Sequence, residues 1–258
     1  MIAADALRTA IVRLQTAGVQ DAPRDARLLL AHAIGMPSNR LTLHLHDQMM
    51  PEASERFEAH LAARASRQPV SQIIGQRLFW GRSFAVTSDV LDPRPETETL
   101  IAGALQSPAS RILDLGTGSG VILLTLLAEW PDATGQGADI SQEALDIAVQ
   151  NAANLSLTDR AAFQLSDWFS NIDGRFDLIV SNPPYITASE MAGLAPEVHD
   201  WEPHIALTPG GDGLAPYRAI AASALDHLTT AGRILVECGP SQGRDIMDIL
   251  ALKGFRKI

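Results

Sequence analysis

From Arg111 onward the chain alternates short apolar runs with stretches of helical period, and this alternation restricts the fold more than any other feature. Residues 111–115, 136–139, 161–165, 176–180 and 233–238 have strand length and are bounded by glycine or polar residues. Residues 121–129, 142–151, 215–228 and 244–250 space their apolar side chains as helices do. Parallel strands need long crossover connections, and helices usually supply them. The pattern therefore predicts an α/β fold with a doubly wound, Rossmann-like parallel sheet.

In such sheets ligands bind beyond the carboxyl ends of the strands. The first strand ends in Asp114-Leu115-Gly116-Thr117-Gly118-Ser119-Gly120. Glycines there let the backbone approach a ligand that side chains would exclude. Val121 stands where a dinucleotide loop would carry its third glycine. That counts against a helix N-terminus aimed at a pyrophosphate. Asp139 ends the next strand, where a carboxylate can accept from both hydroxyls of a ribose. Together these residues predict an adenosine ligand without choosing among adenosine ligands. Asp114 also reads as a capping carboxylate at a strand end. After the third strand, Asp167 can accept from an exocyclic amine and Trp168 can cover a ring face. Equally, Trp168 and Phe169 can pack that loop onto the sheet.

The fourth strand runs into Ser181-Asn182-Pro183-Pro184-Tyr185. Two prolines hold φ near −65° and remove two backbone donors, so the turn is stiff. The residue before each is pushed out of the helical region. The turn offers an amide side chain, carbonyls that only accept, and an aromatic face.

Upstream the pattern is different. Residues 1–75 read as a small helical bundle: Ala6, Ala10 and Leu14 repeat at helical spacing before Gly18, and Leu29, Leu30 and Ala33 before Gly35. Ser38 is positioned to cap a short third helix. Pro51 opens a fourth with Phe57, Leu61 and Ala65 inward and Glu52, Glu55, Arg56 and Arg64 solvated, and Pro69 opens a last turn ending at Gly75. Residues 76–106 form a hairpin turning at Gly81-Arg82, then a linker, Asp92-Pro93-Arg94-Pro95-Glu96-Thr97-Glu98, that enters a helix. Residues 107–258 form the sheet domain, with the Pro- and Gly-rich segment 186–212 expected over its open end. The histidines have no companion ligands at metal spacing, so no metal is expected.

The formal charge of −10 lowers the expectation of a nucleic-acid partner, which calls for a basic face. No apolar run approaches a membrane span, and the N-terminus lacks the basic and apolar regions of a signal peptide. Cys238, the single cysteine, reads as a small core residue.

Taken together, the glycine loop, Asp139 and Asn182-Pro183-Pro184-Tyr185 resemble class I methyltransferases that use S-adenosyl-L-methionine. The helical N-terminus, Arg77-Leu78-Phe79-Trp80, Pro93-Arg94-Pro95-Glu96-Thr97-Glu98, Glu202-Pro203 and Gly211-Asp212-Gly213-Leu214 narrow the resemblance to the peptide chain release factor glutamine methyltransferases. The resemblance implies transfer of a methyl group to the side-chain amide of a glutamine in a Gly-Gly-Gln type motif of class 1 release factors. It implies cofactor contacts from Asp114, Gly116, Thr117, Gly118, Ser119, Gly120, Asp139, Asp167, Trp168 and Asn182. Asn182, Pro183, Pro184 and Tyr185 are expected to hold the substrate, with Asn182, Pro183 and Tyr185 catalytic. A cytoplasmic monomer is expected, with the bundle docking the protein substrate and no direct contact with nucleic acid or membrane. Adenine-N6 or other amino methylation of nucleic acid is the alternative, because the same turn suits a flipped base amine. A degenerate binding module would not need Gly116, Gly118, Asp139 and Asn182 together. An NAD oxidoreductase would leave the Asn-Pro-Pro-Tyr turn unexplained. Members of this family continue with two further strands, which are expected to be missing here, leaving an open sheet edge.

Overall fold

The computed structural model describes residues 1–256. The chain divides into two compact units, Met1–Gly75 with Ala195–Trp201, and Gln76–Leu194 with Glu202–Ile258. The last two residues, 257–258, lie outside the described part, so the expectation for the extreme C-terminus reaches no further than Arg256.

The first unit is built on α1 (Ala3–Thr16), α2 (Ala22–Ala33), α3 (Pro51–Ala65) and the short α4 (Val70–Ile74). Ala6, Ala10, Leu14, Leu29, Leu30, Phe57 and Leu61 fill its core. Burying each of the larger side chains contributes roughly 1.5–3 kcal/mol before chain entropy is counted. Gly18, Gly35 and Gly75 take left-handed φ just past three of these helices, where a Cβ would be strained. Ser38–His44 is a 3₁₀ helix, and Ser38 makes no capping hydrogen bond because Pro37 occupies the cap. Arg64 departs most from expectation. It is buried, donating to Asp25 Oδ2 at 2.7 Å and to Glu197 Oε1 at 3.0 Å. Its position on α3 belongs to the solvated face of an isolated helix, but Glu197 arrives from the one-turn helix Pro196–His199 and encloses it. Arg67 Nη2 donates to the other Glu197 oxygen at 2.7 Å.

In the second unit β1 (Gln76–Phe79) and β2 (Arg82–Ala85) form an antiparallel hairpin. Its turn is Trp80-Gly81, one residue earlier than the sequence suggests. Both residues have positive φ, 47° and 73°, as a two-residue hairpin turn requires. Trp80 is held there by its own amide, which donates to Glu98 Oε1, and by its indole, which donates to Glu129 Oε1. After α5 (Thr97–Ala104) come β3 (Arg111–Leu115), α6 (Val121–Glu129), β4 (Thr134–Asp139), α7 (Gln142–Asn154), β5 (Ala161–Leu165) and β6 (Phe176–Ser181). The order closes with α8 (Ala215–Ser223), β7 (Leu228–Val236) and α9 (Gly243–Leu252).

The five strands β3 to β7 form one parallel sheet in the order β5-β4-β3-β6-β7. Both faces are covered, as the apolar runs require. Ile112, Leu178 and Val180 pack against α5 and α6 on one face, and Leu113, Leu115 and Ile179 pack against Ile220 and Ala224 on the other. β7 begins earlier than its apolar run because Leu228 pairs with Phe176 ahead of a register shift. β5 and β7 are the edge strands among the described residues. No helix among the described residues is long and apolar enough to cross a membrane.

The strand order reverses between β3 and β6, which are neighbours with Leu115 opposite Ser181. The glycine loop and the Asn-Pro-Pro-Tyr turn therefore leave the sheet side by side. Ser181 Oγ donates to the Leu115 carbonyl at 2.7 Å and ties the two exits together.

Candidate active site

The loop after β3 is shaped from beneath. Asp114 is fully buried, and its Oδ2 accepts from Thr117 Oγ1 at 2.8 Å and from the Leu123 amide at 3.3 Å. Its Oδ1 is buried with no hydrogen-bond partner. Burial pushes the Asp114 carboxyl up to about 7, against the Thr117 and Leu123 hydrogen bonds and with a smaller push from Asp139. The Thr117 amide donates to the Ala138 carbonyl at 2.9 Å, joining the loop to the end of β4.

Above the loop lies a cavity of about 490 Å³, lined among others by Gly116, Thr117, Gly118, Ser119, Asp139, Asp167, Trp168, Asn182 and Pro184. The size suits a small molecule of cofactor dimensions. Gly116 and Gly118 have φ of 68° and 54°, and a Cβ on either would meet no atom within 4 Å. The loop thus turns bare backbone toward open space. Asp139 Oδ2 accepts from the Gly118 amide at 2.8 Å and Oδ1 from the Ser141 amide at 3.0 Å. A carboxylate offers about four acceptor positions, so Asp139 retains capacity to accept from a ligand. Burial raises Asp139, and the amides of Ser141, Gly118 and Ile140 oppose it.

Trp168 has φ of 49°, a left-handed backbone that an aromatic residue adopts only when held. Ser166 holds it, donating from Oγ to the Trp168 carbonyl at 2.9 Å. Phe169 stacks on His227 at 4.7 Å between ring centroids, away from the cavity wall. Both residues pack on the core beneath the sheet, and Trp168 also lines the cavity.

Not every residue singled out in the sequence reaches the cavity. Asp114 lies under the loop as support, and Gly120 is buried with Leu124 and Ala148 where a Cβ would go. Pro183 is buried, and Tyr185 turns to a second cavity of about 430 Å³ with Arg77, Asp92, Arg94, Pro95, Glu96 and Glu237. Arg94 lines both cavities. The turn after β6 therefore stands between two chambers. Its backbone is pinned: Gln242 Nε2 donates to the Tyr185 carbonyl at 2.9 Å. The segment after residue 202 walls the first cavity with Pro203, Ile205, Ala206, Thr208 and Pro209. It is moored by Glu202, whose two oxygens accept from Arg94 Nη2 at 2.7 and 2.9 Å. Burial drives Glu202 up to about 7, Arg94 opposing and Asp92 adding to it.

The PrmC N-terminal domain model matches residues 5–75, and the methyltransferase small domain model matches residues 89–200. A release factor glutamine methyltransferase of Cereibacter sphaeroides is 58% identical over 258 residues, covering 100% of this chain and 93% of that protein. The chain belongs to this family. The release factor glutamine methyltransferase of Rhodospirillum rubrum is 46% identical over 94% of this chain and 76% of its own. A methyltransferase of Pyrococcus furiosus shares the fold, with a TM-score of 0.53 at 15% identity over 69% of this chain and 81% of that one.

A glutamine methyltransferase needs a methyl donor, and the residues here fit S-adenosyl-L-methionine. Asp139 keeps spare acceptor capacity, Trp168 supplies a ring face, and the bare backbone at Gly116 and Gly118 leaves room for a bulky ligand. Residues that sequence reasoning missed in this methyltransferase are Thr97, Arg94 and Glu237. The proline-rich segment 92–98 flagged two of them without indicating what they touch. Glu237 carried no signal, because only the pairing of β7 with β6 brings it near Asn182.

Proposed function

We propose that this enzyme transfers a methyl group from S-adenosyl-L-methionine to the side-chain amide nitrogen of a glutamine, in a Gly-Gly-Gln type motif of class 1 peptide chain release factors. The observation that carries the reading is the position of the Asn-Pro-Pro-Tyr turn between two chambers, one edged by the glycine loop and Asp139 and the other by Tyr185.

When bound, S-adenosyl-L-methionine supplies a methyl group activated by attachment to a positively charged sulfur. An amide nitrogen is a weak nucleophile because its lone pair is delocalised into the carbonyl. A side chain cannot remove its proton outright at neutral pH; the nitrogen loses it to solvent after gaining the methyl and becoming cationic, S-adenosylhomocysteine being the leaving group, so the protein's contribution is positional. Asn182 Oδ1 and the Pro183 carbonyl accept the two amide hydrogens and favour a pyramidal nitrogen over a planar one. Tyr185 packs against the aliphatic stem of the glutamine. Asp139 would hold the ribose and Trp168 and Asp167 the purine, while Asp114 acts beneath the loop by fixing Thr117 and Leu123. Alignment of this kind lowers a barrier by several kcal/mol. The helices of the first unit are the docking surface for the release factor, and the reaction takes place in the cytoplasm.

Incubation with methyl-labelled S-adenosyl-L-methionine and either release factor or nucleic acid tests the reading. Label on a release-factor glutamine is the expected result. Label on nucleic acid instead, or none on either, would overturn it.

A further inference from the structure

An Asn side chain is close to symmetric in shape, and its two ends differ only in hydrogen bonding. Asn182 can serve an NH2 acceptor only if its oxygen faces the substrate. Reversed, it would oppose NH2 to NH2. Something must therefore fix the amide end for end, and the proline turn cannot do so because prolines constrain only the backbone.

The Asn182 Nδ2 donates to Thr97 Oγ1 at 3.3 Å. Thr97 opens α5 at the end of the Pro93–Glu98 segment and is buried. A threonine hydroxyl can donate as well as accept, so alone it would hold the amide either way round. The next residue in the cluster removes that ambiguity. The pairing of β7 with β6 sets Glu237 beside Asn182, and its carboxylate interacts with both the Thr97 hydroxyl and the Asn182 amide. Burial raises Glu237, and Thr97 and Asn182 pull it back down, the sign expected when both donate toward it. Its backbone is pinned on two sides, with the amide donating to the Ser181 carbonyl at 3.0 Å and the carbonyl accepting from Tyr217 OH at 2.8 Å. One carboxylate oxygen, Oε2, is buried with no hydrogen-bond partner, and nearby Arg94 favours the ionised form while Glu96 opposes it.

We propose that Thr97 and Glu237 are positioning residues that lock the Asn182 amide with its nitrogen inward and its oxygen toward the acceptor. In its ionised form the Glu237 carboxylate accepts and cannot donate. It draws the Thr97 hydroxyl proton toward itself, which leaves a Thr97 lone pair for Asn182 Nδ2. Both amide hydrogens of Asn182 then have acceptors within the protein, and Oδ1 is the only end left to present. The lock gives the Pro93–Glu98 segment a role that its position in the chain, far from residue 182, does not disclose. The inference rests on the proposed acceptor role of Asn182.

The test compares wild type with Glu237→Gln, Thr97→Val and Thr97→Ser. Each is measured for methylation of intact release factor and for binding of S-adenosylhomocysteine. A glutamine at 237 can donate or accept and so releases the lock with little change of shape, and valine removes the hydroxyl at nearly constant volume. Both are expected to lower kcat about 100-fold, with KM for the release factor and Kd for S-adenosylhomocysteine within about twofold of wild type. Serine at 97 keeps the hydroxyl and is expected to restore kcat to within about fivefold. Wild-type kcat in Glu237→Gln and Thr97→Val would overturn the lock while leaving the acceptor reading intact. Loss of S-adenosylhomocysteine binding in parallel with kcat would also overturn it, by showing a general structural role. Failure of the wild type to methylate release factor would remove the acceptor reading, and the lock with it.

Discussion

Asn182 and its neighbours concentrate the chemistry into a few atoms. The amide lines the first cavity, its nitrogen is engaged by Thr97, and the carbonyl of Tyr185 three residues on is held by Gln242. Replacing Asn182 with Ala removes one of the two acceptors offered to the substrate NH2 but no wall of the ribose end of the cavity. Methylation is expected to fall roughly 100- to 1000-fold, the range for loss of one preorganised hydrogen-bonding group. The dissociation constant of S-adenosylhomocysteine, measured by calorimetry, is expected to remain near its wild-type value. Methylation at the normal rate would remove Asn182 from the mechanism. Asp139→Asn provides the contrasting case. It replaces one of two oxygens with a donor, so the bonds from Gly118 and Ser141 can no longer both be kept, and the first effect expected is on cofactor affinity, about tenfold or more.

Among the elements, the turn after β6 is held in place by a glycine far along the chain. Gly213 has φ of 75°, and a Cβ there would lie 2.3 Å from the Tyr185 carbonyl oxygen and 2.6 Å from Gln242 Nε2. Gly213→Ala must displace the turn and break the Gln242 bond. It is expected to destabilise the protein by about 1–3 kcal/mol in thermal unfolding and to lower methylation more than cofactor binding. In the first unit Arg64 compensates two acids at once. Arg64→Ala leaves Asp25 buried without its partner and Glu197 with Arg67 alone, a loss of about 3–5 kcal/mol by denaturant titration. These two positions also show where the sequence was legible and where it was not. The strands and the glycine loop could be read because a parallel sheet covered on both faces leaves continuous apolar runs, and the helix stops because Gly18, Gly35 and Gly75 take conformations other residues avoid. Arg64 could not be read, because the acid that encloses it lies 133 residues away in a segment whose short turns carry no periodic pattern. Asp114 looked like a ligand contact for a related reason. A carboxylate at a strand end has the same appearance whether it points up to a ligand or down into the loop. Trp80 moved the hairpin turn by one residue because tertiary hydrogen bonds hold an aromatic residue at positive φ.

At the scale of the whole molecule, two buried acids tie stability to pH. Asp114 and Glu202 both sit near 7 in the fold, far above their ordinary ranges, with burial the leading cause in each. A raised acid favours the folded state most when protonated. Its contribution is therefore fully present below about pH 4 and is lost as pH rises through about 7. For Asp114 the lost contribution is about 4 kcal/mol at most. The Asp114→Asn variant is expected to show a flatter stability curve between pH 5 and 8 by thermal unfolding, and an unchanged slope would contradict the burial argument. The more direct question is what the assembled molecule does to its acceptor. The decisive measurement is peptide mass spectrometry of intact class 1 release factor after reaction with S-adenosyl-L-methionine and either wild-type enzyme or Asn182→Ala. The expected result is a single added methyl on the glutamine of the Gly-Gly-Gln type motif with wild type and almost none with the variant. A methyl on another residue, or equal methylation by both proteins, would contradict the account.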